Sequence, residues 1–195
     1  MKKVVVIFLV SICVLTLGAW AQDNKALICD LGERDQLAST LKVKEGQLAP
    51  DFTLESVTGG KVSLHELRGK KNVVISFVPA AWTSVCSSQW PRYGGLQDAM
   101  KTYDAVMLGI SVDNKPTLSA WTNSLGSIWF TVLSDFWPHG ETASKFGVLR
   151  SDGMAERAIF IIDKEGVIQY ARVHKIKEMP EPSEIVAVLE RIVRK

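Results

Sequence analysis

Residues 72–78 read Asn-Val-Val-Ile-Ser-Phe-Val, a short β-branched run that ends at Pro79. A run this apolar, with little polar alternation, predicts a strand covered on both faces, the kind found in sheets sandwiched between helices. The segment that follows, Pro79-Ala80-Ala81-Trp82-Thr83-Ser84-Val85-Cys86, brings a thiol to the start of the next helix. There it faces free backbone N–H groups and the positive end of the helix dipole. An isolated cysteine is usually a small buried hydrophobe. One in this setting is expected to be reactive.

The rest of the chain alternates. Residues 52–57 and 61–64 flank Thr58-Gly59-Gly60, a hairpin signature. Ser63-Leu64-His65-Glu66 then fits a capping box for a short helical turn. After Cys86, Pro91 and Gly94-Gly95 interrupt any helix. A proline removes one backbone donor and clashes with the carbonyl four residues back, so a kink is expected between residues 87 and 91. Strands are predicted at 105–111, 130–134, 157–163 and 167–173, and helices at 115–125, 141–146 and 183–194. Asp163-Lys164-Glu165-Gly166 joins the last two strands, and the last helix carries Ile185, Val188, Leu189 and Ile192 on one broad face. This order makes an α/β chain with a central mixed β-sheet flanked by helices. No internal repeat, low-complexity tract or interdomain linker is evident.

The spacing Pro79-x-x-x-Thr83-x-x-Cys86 resembles the active-site signature of peroxiredoxins, thiol peroxidases built on a thioredoxin-like fold. Arg157, directly before the strand-like Ala158-Ile159-Phe160-Ile161-Ile162-Asp163, strengthens the match, because in that family an arginine at the start of a late strand reaches the active cysteine. The resemblance runs from about Glu45 to the C-terminus. It implies a thioredoxin-like fold with an added N-terminal β-hairpin, and a catalytic set of Cys86, Thr83, Arg157 and Pro79. The implied reaction is reduction of hydrogen peroxide and small organic hydroperoxides through a sulfenic acid on Cys86, with no metal, haem or nucleotide cofactor.

Peroxide reduction requires a thiolate to attack one oxygen while the other leaves as hydroxide or alkoxide. Lowering a thiol's pKa from about 8.5 to about 6 raises its thiolate fraction at pH 7 roughly 30-fold. With a Brønsted slope of about 0.4–0.5, the less basic sulfur loses roughly tenfold in nucleophilicity, so the net gain is only a few-fold. Most of the rate must come from positioning and from stabilising charge on the oxygens. On the resemblance, the Thr83 hydroxyl accepts a hydrogen bond from the peroxide proton and donates one to the sulfur or an oxygen. Arg157 holds the thiolate and the developing oxyanion with its planar fork of donors. Backbone N–H groups near Val85 and Cys86 complete the site, and Pro79, lacking an N–H, walls it off from water. Trp82, inside the motif, is a candidate lining for the peroxide entrance, while the remaining tryptophans belong more naturally to the core. Gln89 stands where many family members carry an acid.

The first residues set the compartment. Lys2 and Lys3 precede an apolar stretch over residues 4–17 and then Ala19-Trp20-Ala21, a basic n-region, an h-region and an A-x-A cleavage site. Residues 1–21 therefore read as a secretory signal peptide, cleaved after Ala21, and the protein as periplasmic or secreted. An uncleaved membrane anchor facing outside is the competitor, although the apolar run falls short of a spanning helix. Removing 21 of the 195 residues leaves 174, divided into a lead segment at 22–43 with a short helix around 35–42 and one domain at 44–195. Two of the 23 basic residues and none of the 21 acids would go with the signal, so the mature charges balance. A balanced charge argues against nucleic acid as a partner.

Other chemistries find less support. A thiol–disulfide oxidoreductase normally needs Cys-x-x-Cys, and Gln89 occupies the second position. A non-catalytic redoxin-fold binding module would retain the thiol without using it. His139 could serve Cys86 as a hydrolase base, but no acid or oxyanion motif accompanies it, and His65 and His174 read as surface residues. No closely spaced Cys or His pairs suggest zinc. The partners implied are a peroxide, an external thiol or thioredoxin-like reductant, and a second copy of the chain in a homodimer. Relatives with a second thiol often place it five residues after the first, but Pro91 is there and no cysteine lies C-terminal to Cys86. Cys29 is the one internal candidate. Nothing in residues 22–43 specifies docking near the site, and docking would cost conformational entropy, which favours a one-cysteine mechanism.

Overall fold

The computed structural model describes residues 27–32, 34, 38–126 and 128–194. The proposed signal at residues 1–21 lies outside them. The strands are β1 (Thr53–Ser56), β2 (Lys61–Ser63), β3 (Asn72–Phe77), β4 (Ala105–Ser111), β5 (Thr131–Ser134), β6 (Arg157–Ile162) and β7 (Ile168–His174). They form one sheet in the order β2-β1-β5-β4-β3-β6-β7. β3, β4 and β5 run parallel, while β6, β7 and the β1–β2 hairpin are antiparallel additions. The helices are α1 (Leu64–Leu67), α2 (Ser84–Arg92), α3 (Gln97–Thr102), α4 (Lys115–Ser124), α5 (Glu141–Phe146) and α6 (Pro182–Val193).

The apolar run at residues 72–78 behaves as its composition predicts. Val73, Ile75 and Phe77 enter the core beneath α1 and α5, with Phe146 and Phe160. Val74 and Val78 enter the opposite core with Trp90, Trp121 and Leu189. Burying each side chain of this size stabilises the fold by about 1.5–3 kcal/mol. In β4, Gly109 leaves room for the Trp90 ring of α2: a Cβ there would stand 2.7 Å from that ring and 2.9 Å from Phe130.

Several local expectations are corrected. Ser63 does precede α1, but its side chain makes no cap. Asp51 does that work, accepting the His65 N–H at 2.8 Å. α2 runs through Pro91 to Arg92, because a proline in the last turn interrupts little of the remaining ladder. The break falls later, at the 3-10 turn Tyr93–Leu96 that separates α2 from α3. No helix forms over residues 38–42, the described part of the helix expected at 35–42. His174 is buried rather than on the surface, at 6 % exposure, because β7 places it opposite Arg157. Trp90 and Trp121 are core residues, whereas Trp137 is 83 % exposed.

The lead segment is tied to the domain at several points. The Ala38 N–H donates to Glu156 Oε1 at 2.6 Å, and the Lys42 N–H donates to the Phe146 carbonyl at 3.2 Å. Gly147, with φ of 77°, has no room for a side chain, since a Cβ would stand 2.3 Å from the Lys42 nitrogen. Among the described residues no helix is long and apolar enough to cross a membrane.

Candidate active site

β3 ends beneath a loop that turns into α2, and that turn builds the site. Pro79 is buried just past the strand end. Asp113, beyond β4, accepts the Ala81 N–H at 2.8 Å and the Ser111 hydroxyl at 2.5 Å, pinning the loop to the neighbouring parallel strand. Trp82 adopts left-handed backbone, φ 61°, a conformation that costs a non-glycine residue on the order of 1–3 kcal/mol. Thr83 then takes extended backbone as the residue before α2. Its hydroxyl donates to the Ala80 carbonyl at 2.9 Å, which leaves its lone pairs as the remaining hydrogen-bonding capacity.

Cys86 sits in the first turn of α2, where backbone N–H groups have no intrahelical acceptor. It is buried and free of any disulfide. Arg157, the first residue of β6, reaches across from the neighbouring antiparallel strand and is itself only 1 % exposed. Its Nη2 lies 3.5 Å from Cys86 Sγ. The same nitrogen donates to the Ile176 carbonyl at 2.8 Å, as does Nε at 3.2 Å, and Nη1 donates to Gln89 Oε1. Gln89 is oriented in turn by donating from Nε2 to Ser76 Oγ at 3.1 Å and to the Tyr93 hydroxyl at 2.9 Å. Burial pushes the Tyr93 phenol up to about 12, so it stays neutral in this network. These acceptors of Arg157 are uncharged. The carboxylate beside it in sequence, Glu156, is engaged by Arg150 at 2.9 Å instead.

A cavity of about 270 Å3 lies beside this centre and reaches Arg157. Thr83, Val85 and Arg157 line one side, Ile176 and Lys177 another, and residues 30–32 of the lead segment close it. The structure thus brings together Cys86, Thr83 and Arg157. Thr83 and Arg157 face the cavity, whereas Cys86 and Pro79 are buried and do not line it, and Trp82 packs against the core that holds Trp90 and Trp121 rather than lining the opening. His139 contacts the Gly153 carbonyl at 2.7 Å and takes no part. Among the described residues, no group of three or more His, Cys, Asp or Glu side chains could hold a metal.

Asp113, Ser76 and the bracing role of Gln89 are not among the residues expected from the motif. Ser76 carried a signal, as the lone hydroxyl inside a fully buried apolar strand, which must find a partner. Gln89 carried one as well, since it lies three residues after Cys86 and shares its helix face. Asp113 had no signal beyond a strand end.

A thiol in the first turn of the helix after a central strand, faced by an arginine from the adjacent antiparallel strand, defines a thioredoxin-like redox site. The AhpC/TSA family model matches residues 46–171, and the chain belongs to that family, the peroxiredoxins, which are thiol-dependent peroxidases. It is 36% identical over 141 residues to alkyl hydroperoxide reductase E of Mycobacterium bovis, a match covering 72% of this chain and 88% of that one. It is 33% identical over 161 residues to the chloroplastic 2-cysteine peroxiredoxin of Chattonella marina var. antiqua, covering 78% and 82%. The reduced 2-Cys peroxiredoxin of Plasmodium vivax superposes with a TM-score of 0.74 at 30% identity, covering 78% of this chain and 83% of that one. Peroxidase chemistry therefore stands above the oxidoreductase and binding-module readings.

Proposed function

We propose that Cys86 is the peroxidatic thiol for hydrogen peroxide and small organic hydroperoxides, with Arg157 and Thr83 acting on the reacting atoms. The observation that carries this reading is the 3.5 Å approach of Arg157 Nη2 to Cys86 Sγ. The guanidinium spends its other hydrogen bonds on neutral oxygens, so its charge is directed at the sulfur and at the oxygen that leaves.

In the reaction the sulfur bonds to one peroxide oxygen, the O–O bond breaks, and the other oxygen leaves as hydroxide or alkoxide and takes up a proton. Thr83 accepts the hydrogen bond of the attacked peroxide, since its own proton is committed to Ala80. Arg157 and the free N–H groups of the first turn of α2 stabilise the developing negative charge. Pro79 supports the loop from behind. Leu31, Val85 and Ile176 give the cavity an apolar wall suited to a small alkyl group. An external thiol or thioredoxin-like protein supplies the electrons that return Cys86 to the thiol.

The n-region, apolar stretch and Ala19-Trp20-Ala21 support export to a periplasmic or extracellular compartment with cleavage after Ala21. The working form is a homodimer, as the likeness to 2-Cys peroxiredoxins suggests. The test is stopped-flow consumption of peroxide by the purified protein, paired with dimedone trapping. Cys86→Ser should lose activity, and dimedone should label Cys86 in the parent protein. Labelling confined to Cys29, or full activity in the serine variant, would sink the assignment.

A further inference from the structure

Docking of the lead segment, which no residue type in 22–43 marks, lowers the entropic cost of bringing Cys29 to the site. The structure docks the segment against the active-site loop. The Cys29 N–H donates to the Trp82 carbonyl at 2.6 Å, and Cys29 pairs in parallel with Thr83, three residues before Cys86. Residues 30–32 wall the cavity that reaches Arg157. Further along, Arg34 approaches Asp152 at 3.3 Å, and Ala38 is held by Glu156, a fully buried carboxylate ion-paired with Arg150. These bonds already hold the described residues on either side of Cys29's pairing with the loop, so little further ordering of them remains when the two thiols meet.

Reach also permits it. Paired strands stand about 4.8 Å apart, and a disulfide needs a Cα separation of about 4.4–6.8 Å. Three residues of extended chain span up to about 10 Å, so unwinding only residues 84–86 lets Cys86 come out to Cys29 while the lead segment stays docked. That turn is weakly secured, because the Thr83 hydroxyl bonds Ala80 and gives α2 no side-chain cap. Cys29 is exposed and free to receive it.

We propose that Cys29 is the resolving thiol, acting within its own chain, in an inference that rests on Cys86 being the peroxidatic residue. The Cys29 sulfur attacks the sulfenic sulfur of Cys86, an S–S bond forms, the S–O bond breaks, and the hydroxide leaves with the Cys29 proton as water. The cycle closes when an external dithiol reduces the Cys29–Cys86 disulfide and is itself oxidised to a disulfide. The strap over the cavity thereby joins the chemistry and shields the sulfenic acid from a second peroxide.

Peptide mapping under non-reducing conditions, after one equivalent of hydrogen peroxide, decides the matter. A mixture of heavy- and light-isotope protein should give a dominant Cys29–Cys86 disulfide within single chains. Cys29→Ser should instead accumulate dimedone-reactive sulfenic acid on Cys86 and pass to sulfinic acid under excess peroxide. Persistent sulfenic acid on Cys86 beside free Cys29 in the parent protein overturns the inference and leaves the peroxidatic reading intact. A mixed heavy–light disulfide overturns the intrachain step. Absence of any oxidation at Cys86 overturns both readings.

Discussion

Arg157 donates from Nη1 to the side-chain oxygen of Gln89, so an uncharged amide braces the guanidinium that faces Cys86. A carboxylate in that position would share the positive charge, whereas the amide only orients it. Gln89 is fully buried and held by Ser76 and Tyr93, which makes this a fixed feature of the site.

Two substitutions at this position separate orientation from charge. Gln89→Leu leaves a buried charged donor without its acceptor and should cost about 1–3 kcal/mol in urea denaturation. Gln89→Glu restores an acceptor and should keep more of the stability, yet slow the second-order reaction with peroxide because the carboxylate competes for the guanidinium charge. A Gln89→Glu rate equal to the parent's would show that the charge balance at Arg157 is unimportant.

Removing the arginine tests its part in the transition state. Arg157→Ala should lower the rate constant for peroxide by roughly 10²–10³ at its high-pH plateau, the scale of losing one oxyanion-stabilising donor set. Arg157→Lys keeps a charge but loses the planar fork, and should recover only part of that loss. An unchanged plateau in the alanine variant would leave Arg157 a structural residue.

Packing of α2 on the sheet depends on Gly109. A methyl group there meets the Trp90 and Phe130 rings inside 3 Å, so Gly109→Ala should destabilise by about 1–3 kcal/mol, read as a lower urea midpoint. Parent-like stability would mean that Trp90 retreats without cost.

His174 makes stability depend on pH. Burial lowers its pKa, the Arg172 and Arg157 charges lower it further, and Glu184 and Glu178 oppose them. Its Nε2 has no hydrogen-bond partner among the described residues. A base whose pKa is lower when folded leaves the unfolded chain holding more protons below about pH 6.5, so its share of stability is present above that pH and is lost as pH falls. The slope from this one group cannot exceed about 1.4 kcal/mol per pH unit. Denaturation midpoints at pH 7.5 and 5.5 should converge in His174→Leu relative to the parent, and an unaltered difference would assign the acid sensitivity elsewhere.

The export reading predicts a mature protein that begins at Gln22. N-terminal sequencing of material from the native compartment checks it. Intact Met1 in the membrane fraction would favour the anchor.

Local periodicity and short-range chemistry were enough to place most elements. The strand at 105–111 and the helix at 141–146 fall where the residues predict, because β-branched runs and helix signals act over a few neighbours along the chain. Pro79, Thr83 and Cys86 were legible for the same reason, since a strand end, a turn and a helix start are consecutive. Tertiary structure alone decided what meets them. Arg157 finds Gln89 and the Ile176 carbonyl, Asp113 finds the Ala81 N–H, and Cys29 finds the Trp82 carbonyl only once the sheet has brought distant segments together. Two of these partners are main-chain carbonyls, which every residue presents, and one is a main-chain N–H, which every residue but proline presents, so no residue type marks where such a contact will form. The burial of His174 has the same origin, for its exposure is set by α6 and the facing strand rather than by its own neighbours in sequence.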